Sequence, residues 1–110
     1  MKNYIVTYVS LYDNDIKTIF VRAESVKNAV IQGVEVSYLP NTMEGMRQWD
    51  GVLFEEKSPK TLEEAQSNYI AHIMKVFPED LEGLKSYYFN GDILIDVVEF
   101  TGDEFEMGDE

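Results

Sequence analysis

The 110 residues predict an α+β domain, a mostly antiparallel sheet of three to five strands with two or three helices on one face. Two observations predict it. The chain opens with two β-branched and aromatic runs across a short polar break, and at least one long segment carries helical spacing of apolar residues behind a capping signal. A third observation bounds the answer: 45% apolar and 13% aromatic residues suffice for one packed core, and the length is too short for two.

Residues 3–12, NYIVTYVSLY, alternate as a strand. Tyr4, Tyr8 and Tyr12 share one side with Val6 and Ser10, whereas Ile5, Val9 and Leu11 occupy the other and read as the core side. Asp13-Asn14-Asp15 is turn chemistry, and residues 16–23, IKTIFVRA, alternate again, which predicts a hairpin. Ser25 then caps a helix in which Val26, Ala29, Val30, Gly33 and Val34 form one face, with Pro40 as its limit. Residues 41–50 leave open a short helix capped by Asn41 or Thr42 and ending near Trp49. After Asp50-Gly51, residues 52–57 read as a short strand.

Thr61 followed by Glu64 is a capping-box pattern, and Leu62, Ala65, Tyr69, Ile73 and Phe77 fall at helical spacing, which predicts a helix over 62–76. Pro78 ends or kinks it and can itself begin a new turn. Residues 79–91 divide two ways. Leu81, Leu84 and Tyr88 suit a helix with Gly91 just past its end, or residues 86–89, SYYF, are a strand that Asn90-Gly91 turns into the next; the reading adopted is a short helix followed by that hairpin. Residues 92–100 form a strand with Ile93, Ile95 and Val97 on one face. The compact domain is expected to span 1–102, with 103–110 as an acidic, mobile tail.

Composition excludes several functions. The chain has 21 acidic and nine basic residues, a formal charge of −12 and an isoelectric point near 4.3, so direct nucleic-acid or anionic membrane binding is disfavoured. It has no cysteine, which removes disulfides, thiolate metal sites and cysteine nucleophiles. A missing signal-peptide pattern and the absence of thiols together point to the cytoplasm.

Catalytic chemistry finds little footing. His72, the single histidine, has Asn68 and Val76 as its neighbours one turn away. Ser67, five residues back, sits about 140° around the helix and cannot pair with it. Glu63-Glu64 and Glu79-Asp80 fall in first helical turns, where the backbone dipole favours them. Asp13-Asn14-Asp15 and residues 103–106 lack the frame of a calcium loop, and phosphate loops and nucleophile elbows are missing. The expectation is a protein that is not an enzyme and needs no cofactor or metal.

Two features remain. Residues 1–60 hold seven bases against eight acids, a net of −1; residues 61–110 hold two bases against 13 acids, a net of −11. From Asn90 on the carboxylates include Asp92, Asp96, Glu99, Asp103, Glu104 and Glu106, with no base. This is either a solvated face with a solubilising tail, or an anionic surface for a basic protein, including one that binds nucleic acid. The second feature is the tyrosine row Tyr4, Tyr8 and Tyr12, which offers an amphipathic patch for a homodimer if helices do not cover it.

The stretch YIVTYVSLYDNDIKTIFVRAESVKNAV, a hairpin running into a capped helix, resembles the opening of small acidic accessory proteins of bacteriophages. The resemblance covers about the first third of the chain and transfers no functional residue. It implies an inhibitor that binds a host or defence factor, in some such proteins by imitating DNA. The expected function is accordingly a protein-binding module presenting acid to a basic partner, with self-association through the tyrosine-bearing sheet face as the alternative.

Overall fold

The computed structural model describes residues 1–87, 89 and 93–100. It is an α+β chain with a three-stranded antiparallel sheet and five helices among those residues. The chain divides into two compact units, one formed by Met1–Gly33 with the chain from Phe77 on, the other by Val34–Val76.

In the first unit, β1 (Lys2–Ser10) is the central strand, flanked by β2 (Asp15–Ala23) and β3 (Ile93–Phe100) in the order β2-β1-β3. The β1–β2 register runs from Lys2 opposite Ala23 to Ser10 opposite Asp15, leaving residues 11–14 as the loop. Asn14 takes the left-handed conformation there (φ 52°), which asparagine tolerates better than most residues. The buried Ser10 hydroxyl accepts the Asp13 N–H at 3.3 Å.

The core side of β1 is the tyrosine side, which reverses the sequence reading. Tyr4 and Tyr8 are 1% and 0% exposed and Val6 is fully buried, whereas Ile5 and Val9 are only half-buried and Leu11 is exposed. Val21 and Ala23 of β2 and Ile93, Ile95 and Val97 of β3 complete that inner face. The cause lies in α1 (Val26–Ser37), which is capped by Ser25 accepting the Asn28 N–H at 3.2 Å. The Val30 carbonyl accepts the Tyr8 hydroxyl at 2.6 Å, and Gly33 leaves the space that the ring end fills. A buried tyrosine with a satisfied hydroxyl contributes more to a core than a smaller aliphatic residue does.

The short α5 (Leu81–Lys85) packs against β3, with Asp80 capping it and Leu84 buried. Phe77 meets Tyr87 at 4.9 Å between ring centroids and Phe89 at 5.8 Å, and Phe89 bridges Ile93 through two backbone hydrogen bonds. The expected helix therefore forms, while the Asn90-Gly91 turn and the 103–110 tail lie outside the described residues.

In the second unit, α2 (Met43–Trp49) is capped by Thr42, α3 (Gly51–Lys57) by Asp50, and α4 (Leu62–Val76) follows Thr61, whose hydroxyl accepts the Glu64 N–H at 3.1 Å. Residues 52–57 are therefore helix rather than strand. Asp50 accepts the Leu53 N–H at 3.2 Å, so Asp50-Gly51 starts a helix instead of turning the chain. Tyr38, Trp49 and Tyr69 form an aromatic cluster, with ring centroids 6.3 and 6.0 Å apart.

Candidate docking face

The side of the sheet opposite Tyr4 and Tyr8 carries the residues that alternation turns away from the core. Register aligns them in four rows. Ile16, Val9 and Leu94 form one row, Thr18, Thr7 and Asp96 the next, Phe20, Ile5 and Val98 the third, and Arg22, Asn3 and Phe100 the last. Two apolar rows thus bracket a polar one.

This face lies open to solvent. Ile16 and Phe20 are each 66% exposed and Val98 is 54% exposed. Ile5, Val9, Leu94 and Phe100 are half-buried. Phe20 and Phe100 meet edge to face across Ile5 and Asn3, with centroids 6.1 Å apart, which gathers the aromatic surface into one end of the patch. In the polar row the Thr7 and Thr18 hydroxyls stand 3.4 Å apart. Asp96 is held from the side by Lys85 at 3.2 Å. Arg22 and Asp96 are the charged strand residues here, so the face is neutral on a strongly anionic chain.

The residues singled out from sequence are distributed differently. Tyr4 and Tyr8 are in the core and unavailable to a partner; Tyr12 is 86% exposed in the β1–β2 loop. Asp96 lies on the outer face, whereas Glu99 alternates to the opposite side and approaches Lys2 at 3.9 Å. Asp92, Asp103, Glu104 and Glu106 lie outside the described residues. The two described carboxylates of this set therefore do not share a face, and each has a lysine beside it.

His72 is half-buried on α4 and lines a shallow depression of about 190 Å³ with Lys57, Lys75, Glu56 and Asn68. No hydroxyl or thiol side chain lines that depression. Among the described residues no group of three or more histidine, cysteine, aspartate or glutamate side chains could hold a metal ion. No helix among them is long and apolar enough to cross a membrane.

The outer-face residues were missed because all three strands carry apolar residues on both sides. That double patterning was the available signal: a sheet covered on one side only leaves the other set exposed. The chain matches no protein-family model, no curated protein and no solved structure.

Proposed function

We propose that this protein is a non-enzymatic association module that pairs with a second copy of itself through the outer face of its sheet. The carrying observation is the exposure of Ile16, Phe20 and Val98 on one contiguous face that also includes Ile5, Val9 and Leu94. Contiguous apolar surface of this kind mark sites of association more often than isolated exposed side chains do. The absence of net charge on the face fits a like partner better than a basic one, because charge attraction has little to act on there.

Size bears on the strength of that association. Three strands about 4.8 Å apart and eight residues long, rising about 3.4 Å each, present roughly 400 Å² in plan per copy before side-chain relief is counted. Two such faces give roughly 800 Å² in plan, below the about 1,200 Å² of a standard specific interface, which fits a weak, reversible contact. The expected complex is a reversible dimer with a dissociation constant on the order of micromolar. Sedimentation velocity over a concentration series tests it: Phe20→Asp should leave a folded monomer, and a wild-type chain that is monomeric throughout would refute the reading.

A second reading keeps the sequence-based expectation, an acidic inhibitor or DNA mimic that docks on a basic protein, and it is favoured by the net of −11 in residues 61–110. Salt separates the two. Attraction to a basic partner is screened by salt, whereas pairing of two chains of charge −12 is relieved by it.

A further inference from the structure

Resting on self-association through the outer face, a more specific arrangement can be derived. Two sheets that meet face to face by a two-fold rotation have two simple choices of axis, along the strands or across them. An axis across the strands through Thr7 sets Thr18 on Thr18 and Asp96 on Asp96, so two carboxylates, each with its own Lys85, are brought together and neither gains a donor from the other copy. Like charges brought together in an interface are unfavourable. An axis along β1 lays β2 of one copy over β3 of the other and keeps each row on itself. Ile16 then meets Leu94, Phe20 meets Val98, and the Thr18 hydroxyl, a donor, meets the Asp96 carboxylate. Arg22 meets Phe100, a cation over an aromatic ring.

A two-fold axis along the strands leaves each residue's position along the strand unchanged, so a slide by a row is incompatible with it. The axis along β1 therefore fixes the register as well, and the polar row selects the axis. We infer that two copies pack outer face to outer face about a two-fold axis along β1, with Asp96 of each opposite Thr18 of the other.

The test uses Thr18→Lys, an exposed position that adds charge without entering the core. In the inferred arrangement the new ammonium faces Asp96, and self-association measured by sedimentation equilibrium should tighten by about threefold. Adding Asp96→Asn should cancel the gain. With the axis across the strands, lysine would face lysine; weaker association of Thr18→Lys, or a gain that survives Asp96→Asn, overturns the arrangement.

An independent measurement is the isotope-filtered NOE spectrum of a mixed labelled and unlabelled sample. Cross-peaks between Ile16 and Leu94 methyls are expected between copies, since one chain holds these two strands apart on either side of β1. Cross-peaks from Ile16 to Phe20 instead would refute the axis while leaving the dimer intact. A dimer that survives Phe20→Asp with no outer-face cross-peaks removes both the axis and the face.

Discussion

A Cβ atom at position 33 would stand 2.0 Å from the Tyr8 hydroxyl oxygen and 2.8 Å from Ile19, so Gly33 and Tyr8 occupy one space between them. The tyrosine in turn donates to the Val30 carbonyl one helical turn earlier, at 2.6 Å. This pair decides which side of β1 faces inward. Gly33→Ala should therefore destabilise the chain by about 2–3 kcal/mol, because neither the ring nor the helix backbone can withdraw cheaply. Tyr8→Phe should cost about 1 kcal/mol, the net value of the lost hydrogen bond with the carbonyl left buried. Urea denaturation of both variants checks the two values.

How far the fold was legible follows from that pair. β1 carries apolar or aromatic residues on both sides, Tyr4, Val6 and Tyr8 against Ile5 and Val9, so alternation alone cannot choose an inward side. The choice rests on a glycine and a carbonyl more than 20 residues away, a tertiary fact. β3 was readable because Asp96 interrupts one of its sides, while Ile93, Ile95 and Val97 keep the other apolar. The helix α4 was readable from 15 residues of regular spacing behind Thr61. Residues 52–57 were not, because six residues hold too little period to separate helix from strand, and a capping aspartate reads like a turn residue. The docking face followed from the same ambiguity: once the tyrosines are inside, the aliphatic set must be outside.

Asp50 is the hinge of the α2–α3 corner. Its side chain caps α3, and its N–H donates to the Met46 carbonyl at 3.3 Å to close α2. Asp50→Ala should cost about 1 kcal/mol and lower helical content, whereas Asp50→Ser should retain most of the stability. Far-ultraviolet circular dichroism through a thermal melt checks this; equal melts for all three chains would contradict the capping role.

Lys27 is buried, and its ammonium meets the exposed Glu79 carboxylate at 2.9 Å. Glu79 is largely in water, so screening weakens its attraction. Glu79→Gln should cost about 1 kcal/mol by removing the counter-charge from a buried cation. Lys27→Met, which removes the desolvated charge altogether, should be neutral or stabilising. A chemical-denaturation series in which Lys27→Met is the worse of the two would show that the ion pair itself stabilises the unit.

Charge repulsion between chains should shape the association. Each chain carries −12 at neutral pH, with an isoelectric point near 4.3. Lowering pH from 7 toward 5 reduces that repulsion, and raising salt screens it within about 10 Å at 0.1 M. Both changes should tighten the dimer. Light scattering across the two series checks it; dissociation with rising salt would instead favour a charge-driven contact.

Sedimentation velocity of the full chain, wild type beside Phe20→Asp, over a concentration series at low and high salt, tests the central claim most directly. The outer-face account predicts a wild-type dimer that grows with concentration and salt, and a Phe20→Asp chain that keeps its circular dichroism spectrum and stays monomeric. A wild-type chain that is monomeric at every concentration, or a dimer indifferent to Phe20→Asp, would contradict it.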